Sequence, residues 1–167
     1  MQFVSIDFET ANSSRDSACA VGLVKVFRSR IIDSVAYFIR PPSKLFRFTS
    51  IHGIAWGDVA NCGDFQEQWP KMRSFMVGAE FLAAHNAPFD RGVLYACCST
   101  FGIPRPLVEF IDTVTLARKT WNIYPTRLPD VCHTLGIPLN HHEPLSDALA
   151  CARIVLAANR KQRCPFT

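Results

Sequence analysis

Three short segments, Asp7-Phe8-Glu9, His85-Asn86-Ala87-Pro88-Phe89-Asp90 and His142-Glu143-Pro144-Leu145-Ser146-Asp147, carry the carboxylates Asp7, Glu9, Asp90 and Asp147 and the histidine His142, whose types and spacing could do chemistry together. Side chains two apart in a strand share a face. Asp7 and Glu9 therefore set two carboxylates side by side at the end of the apolar run Phe3 to Phe8. Burying adjacent anions is costly unless cations compensate, so the pair asks for a divalent metal or a strongly basic partner. A donor set made only of oxygen points to magnesium or manganese.

The elements that must hold these groups alternate in type. Met1 to Phe8, Ala20 to Phe27 and Ile31 to Ile39 are β-rich runs, with Arg28-Ser29-Arg30 as a short hairpin connection, and they are predicted to pair as a meander. Pro41-Pro42 ends the third run, and Ser43 to Asn61, which has little periodicity, is expected to wrap over one end of the sheet. Phe65 to Met76 reads as an amphipathic helix, and Phe81 to Ala84 as a short buried strand delivering His85 and Asn86. Pro88 opens a helix to about Thr100, which places Asp90 in its first turn. Phe110 to Val114 reads as a strand, followed by a helical run to about Lys119 and a helix from Leu128 to Leu135 closed by Gly136. The last helix is predicted over Leu145 to Arg160 with Leu145, Leu149, Ala152 and Leu156 inward. The chain is thus expected to be α/β, one domain over residues 1–167, with no repeats or low-complexity tracts.

These motifs, in this order and on these elements, resemble the DEDDh class of 3′–5′ exonucleases, the superfamily of bacterial polymerase proofreading subunits, from about Met1 to Asn159. The sister subclass has a tyrosine four residues before the last aspartate; Glu143 stands there, and His142 lies five before it, which favours the histidine subclass. The resemblance implies an RNase H-like mixed sheet, a three-stranded antiparallel meander plus parallel strands, flanked by helices. It implies two divalent cations, Mg²⁺ or Mn²⁺, held by Asp7, Glu9, Asp90 and Asp147. Asp7 would bridge both ions, Glu9 and Asp147 complete one ion's shell, and Asp90 support the other. His142 would be the general base, since imidazole titrates near neutral pH. The implied substrate is single-stranded DNA or DNA 3′-ends, with short RNA as the alternative, and the product a nucleoside 5′-monophosphate. A polymerase partner or a homodimer is compatible with the same resemblance.

Substrate contacts are expected from Ile51-His52-Gly53-Ile54, which resembles a segment lying against the terminal nucleotide in proofreading exonucleases, so that His52 would reach the 3′-end. Thr10 would lie near the same sugar, and Phe8 and Phe89 would offer apolar or stacking surface, or else belong to the core. His85 and Asn86 are placed beside the substrate as residues that brace the site. His141 competes with His142 for the role of base and is set aside on spacing alone. The family's usual Thr-Gly after the glutamate is replaced by Thr10-Ala11-Asn12, and Pro144 stands where alanine is frequent, at a helix start that suits proline.

Composition restricts the alternatives. The net charge is +4; with four of the fourteen acids assigned to a metal site, the remainder carries +8, which suits a phosphate backbone. Arg153, Arg160, Lys161 and Arg163 could touch nucleic acid or simply favour the negative end of a helix. No run approaches the roughly 20 apolar residues of a membrane span, and no signal peptide opens the chain, so no membrane association is expected. Seven cysteines without a Cys-x-x-Cys pair argue for reduced thiols and a cytoplasmic location. A zinc site from Cys97, Cys98, Cys132 and His133 lacks ligand spacing. A binding domain that keeps the fold without catalysis is the main competing class, opposed by the intact set of five catalytic-type residues.

Overall fold

A computed structural model describes residues 1–163, without the side chain of Arg163; Cys164 and any nucleic-acid contact of Arg163 lie outside the described residues. Five strands, β1 (Gln2–Thr10), β2 (Ala18–Phe27), β3 (Arg30–Phe38), β4 (Phe81–Ala84) and β5 (Glu109–Asp112), form one sheet in the order β3-β2-β1-β4-β5. β1, β2 and β3 pair antiparallel, whereas β4 runs parallel to β1 and β5 parallel to β4. This is the expected meander extended by parallel strands.

The helices are α1 (Thr49–His52), α2 (Trp56–Val59), α3 (Phe65–Met76), α4 (Ala87–Thr100), α5 (Thr113–Trp121), α6 (Leu128–Leu135) and α7 (Pro144–Arg163). Strand alternation decides which layer each covers. Val4, Ile6 and Phe8 of β1 pack with residues of α3 and α4, including Met72, Val93 and Leu94. Phe3 of β1, with Val24 and Val26 of β2, packs instead on Ala148, Ala152 and Val155 of α7. With both faces covered, Phe3 to Ile6 are all fully buried.

Helix α7 is buried on two sides. The expected inward set Leu145, Leu149, Ala152 and Leu156 faces the sheet, while Ala150, Cys151 and Ile154 pack with α5 and α6. Small residues at Ala148, Ala150 and Ala152 let the helix lie between these layers.

Two strand ends and one connection differ from the sequence expectation in ways that bear on the site. β1 continues through Glu9 and Thr10, because both still pair with β2 across a bulge that shifts the register at Cys19. β5 stops at Asp112, not Val114: the Asp112 carboxylate accepts the N–H groups of Val114 and Thr115 at 3.2 Å each and starts α5 there. The segment 43–61 does wrap as a connection, yet it contains the one-turn helices α1 and α2. Cys97 and Cys98 lie in the α3/α4 layer and Cys132 in the α5/α6/α7 layer, so the conceivable thiol zinc site does not assemble. Among the described residues, no helix is long and apolar enough to cross a membrane.

Candidate active site

Asp7 and Glu9 lie at the C-terminal end of β1, on the face that α7 covers, and both are partly buried. Asp7 pairs in register with Gly22 of β2. A Cβ at position 22 would collide with the Pro144 carbonyl and come within 2.7 Å of the Leu145 nitrogen, so only glycine lets the first turn of α7 rest on the strand. That close approach delivers Asp147. Ser5 fixes it further along by donating its hydroxyl to the Ala148 carbonyl at 2.7 Å.

Asp90 arrives from the opposite layer. Asn86 precedes α4 in the left-handed region at φ 66, a conformation asparagine tolerates, and the chain turns from β4 into the helix there. Asp112 accepts the N–H of Asn86 at 3.0 Å and of Ala87 at 3.3 Å, tying this helix start to β5. Asp90, 1% exposed, accepts the Phe8 N–H at 2.9 Å. The strand end thereby holds Asp90 at the level of Asp7 and Glu9.

Four acids gathered this way repel one another and lack water. Burial, then Asp90, Asp147, Glu9 and Glu143, raise Asp7 well above the ordinary carboxylate range. Burial and Asp147 push Glu9 up to about 7. Burial pushes Asp90 up to about 8 despite the opposing Phe8 N–H. Burial also raises Asp147, against bonds from His142 and His141. One oxygen stands out: Asp147 Oδ1 is buried and has no hydrogen-bond partner.

The loop before α7 is ordered by Glu143, whose carboxylate accepts the N–H groups of Leu145 at 3.3 Å and Ser146 at 2.6 Å. Pro144 is the first residue of the helix, as expected. His141 donates from Nδ1 to Asp147 Oδ2 at 2.8 Å, and the His142 backbone N–H reaches the same oxygen at 3.2 Å. The two rings stack at 3.8 Å, which sequence spacing did not reveal. Burial, then His141, lower the His142 pKa below its ordinary 6.5, keeping its ring neutral at pH 7.

A cleft of about 280 Å³ collects Asp7, Glu9, Thr10, His52, Phe89, His141, His142 and Asp147, walled by Phe48 and Ile51. His52 spends both ring nitrogens inside the protein: Nε2 bonds the Thr10 carbonyl at 3.1 Å and Nδ1 accepts from Ile54 N at 3.1 Å. Its ring lines the cleft while pinning the 49–54 segment to β1. Phe89 also lines the cleft, with the Arg15 guanidinium 5.7 Å from its ring centre. Phe8 is 3% exposed and packs in the core, the second of its two expected places, while it also lines the floor of the cleft.

His85 sits as a bracing residue held within the scaffold, and not on the cleft surface beside the substrate. Its Nδ1 lies 2.9 Å from the Thr113 hydroxyl and its Nε2 2.9 Å from the Thr126 carbonyl, and it does not line the cleft. Asn86 is exposed and serves through its backbone. Sequence reasoning missed Gly22, Asp112, Glu143 and the His141–Asp147 contact. Of these, only Asp112 had a legible signal, an acid two residues before Val114 and three before Thr115 at a strand-to-helix junction.

Residues 4–155 match the exonuclease family RNase_T. The PolC-type DNA polymerase III of Clostridium perfringens is 32% identical over 169 residues, covering 97% of this chain and 11% of that protein. That of Thermotoga maritima is 31% identical over 161 residues, covering 92% and 12%. The chain thus spans about a tenth of these relatives. Exonuclease X, solved with 5′-overhanging duplex DNA, superposes with a TM-score of 0.75 at 23% identity over 99% of this chain and 94% of that one. The nuclease domain of 3′hExo, a DEDDh family member bound to rAMP, does so with a TM-score of 0.81 at 19% identity over 96% and 92%. The chain belongs to the exonuclease family RNase_T.

Proposed function

We propose that residues 1–167 act as one catalytic unit that shortens single-stranded DNA or DNA 3′-ends one nucleotide at a time, with two divalent cations and His142 as general base. The observation that carries this reading is a cleft in which three carboxylates of raised pKa, Asp7, Glu9 and Asp147, meet an unpartnered Asp147 oxygen and a neutral histidine, with the fourth raised carboxylate, Asp90, buried behind them on the Phe8 N–H. An all-oxygen set short of positive charge fits Mg²⁺ or Mn²⁺. Bound there, such cations supply the charge that acidifies water and offsets charge on the phosphate.

The chain's own residues divide the remaining work. Asp7, raised by all three of the other acids, is the carboxylate whose loss leaves the set unable to hold its cations. Glu9 and Asp147 share the α7 side of the site, and Asp90 is locked from the other layer through Phe8 N. The His142 side chain makes no hydrogen bond among the described residues, which leaves a ring nitrogen to take the proton of the attacking water. Phe48, Ile51 and Phe89 flank the terminal nucleoside and keep bulk water away from the scissile phosphate. The phosphate leaves on the released nucleotide as a 5′-monophosphate.

RNA is the second reading, favoured by the rAMP in the 3′hExo structure of the same fold. A polymerase is the natural partner class, because the relatives of highest identity given above are PolC-type polymerases. The test is a time course on 5′-labelled single-stranded DNA and RNA of equal sequence with Mg²⁺, Mn²⁺ or EDTA, beside Asp7→Ala. A metal-dependent ladder receding from the 3′-end, absent in Asp7→Ala, is expected, and the faster ladder names the substrate. Binding without cleavage of either strand refutes catalysis; full activity of Asp7→Ala refutes the metal assignment.

A further inference from the structure

The general base is not the only histidine at the mouth of the site. His142 adopts φ 68, in the left-handed region, at a cost of roughly 1–2 kcal/mol for a residue with a Cβ. Consecutive side chains in extended backbone point to opposite sides; this turn brings both rings to one side, stacked at 3.8 Å with 24° between their planes. One ligand atom each from His141, His142 and Asp147 lie within 4.8 Å of one another. Asp147 is 3% exposed, and its Oδ1 is buried without a partner.

We infer that His141, His142 and Asp147 form a mixed nitrogen–oxygen metal site that takes Zn²⁺ in preference to Mg²⁺ and, when filled, withdraws the general base and one acid from catalysis. The donor chemistry sets the selectivity. Imidazole suits zinc, copper and nickel, whereas magnesium prefers carboxylate and water, and divalent affinity at such a site rises from Mn²⁺ through Co²⁺ and Ni²⁺. A tetrahedral zinc with bonds of about 2.0–2.1 Å needs its donors roughly 3.4 Å apart. His141 Nδ1 already stands 2.8 Å from Asp147 Oδ2, and His141, 37% exposed on the loop before α7, has room to adjust. Glu9, in the same cleft, or water would complete the shell.

The inhibitory consequence rests on the functional reading above, but the metal site does not, so the two are tested apart. Without nucleic acid, Co²⁺ is titrated as a spectroscopic stand-in for Zn²⁺. The expected result is intense visible absorption of four-coordinate type that Zn²⁺ erases and excess Mg²⁺ leaves in place. His141→Ala and His141→Gln, each checked for native circular dichroism, should weaken binding by about tenfold or more. His133→Ala, exposed on α6, should not. In the nuclease assay at fixed Mg²⁺, Zn²⁺ should inhibit, and the His141 variants should need about tenfold more of it. A weak six-coordinate spectrum, a thiolate charge-transfer band, or equal affinity in both His141 variants overturns the site. A His141-dependent Co²⁺ spectrum in a protein that cleaves nothing supports the site and overturns only the functional reading.

Discussion

Gly22→Ala tests how the site is assembled without touching any acid or histidine. The added methyl would meet the Pro144 carbonyl and lie 2.7 Å from the Leu145 nitrogen, both backbone atoms that cannot rotate aside. Reaching ordinary carbon contact at about 3.5 Å or more moves the first turn of α7 by on the order of 1 Å. Asp147 rides on that turn, and its link to the His141–His142 loop rides with it. A 1 Å misplacement of catalytic groups costs on the order of 10²-fold in rate, whereas overpacking typically costs about 1–3 kcal/mol of stability. Gly22→Ala should therefore stay folded, melt several degrees lower and lose turnover by about two orders of magnitude. Single-turnover cleavage of a 5′-labelled strand, with thermal melting on the same samples, measures both. Parental turnover with a parental melting temperature would refute the claim that this contact seats Asp147.

Three further outcomes are expected. His142→Ala should lower kcat by about 10²–10⁴-fold and more than His141→Ala does, and the acid limb of kcat/KM should lie below pH 6.5 and vanish only in the His142 variant; the reverse order would move the base to His141. The metal-free protein should lose stability as pH rises from the ordinary carboxylate range up to 7 to 8, because Glu9 near 7 and Asp90 near 8 are held above their unfolded values, so their contribution is fully present below the unfolded values and gone once pH passes the folded ones. Melting with EDTA and with Mn²⁺ from pH 5.5 to 9 should show a metal increment that grows with pH; a flat increment contradicts the carboxylate cluster. Asp112→Ala removes the cap of α5 and the tether of α4, and should destabilise the fold by roughly 0.5–2 kcal/mol in denaturant melts.

The sequence revealed the fold where periodicity and flanking residues agreed. The three meander strands, the short strand before His85 and the helix carrying Asp90 follow from apolar alternation and from Pro88. The acids were legible because carboxylates at the end of an apolar strand contradict core chemistry. What escaped depends on contacts between distant segments. Nothing local marks Gly22 as the seat of α7, 122 residues before Pro144, or says that His85 points into Thr113 and Thr126. Alternation in β1 gives Phe8 a face opposite to Asp7 and Glu9, yet only the packing of α4 shows that face to be core. The stacking of His141 on His142 follows from one backbone angle that composition does not encode.

Asp7, Asp90 and Asp147 come from the first strand, the middle and the final helix of the described chain, and Gly22 lets the last of these dock. A growing polypeptide folds from its N-terminal part first, and contacts so far apart along the chain close late. Such an order keeps the set incomplete until the last helix is made: a nascent chain lacking α7 holds Asp7, Glu9 and Asp90 but not Asp147. Destruction of nucleic acid is thereby conditional on a finished fold, a safeguard written into chain order and independent of any inhibitor.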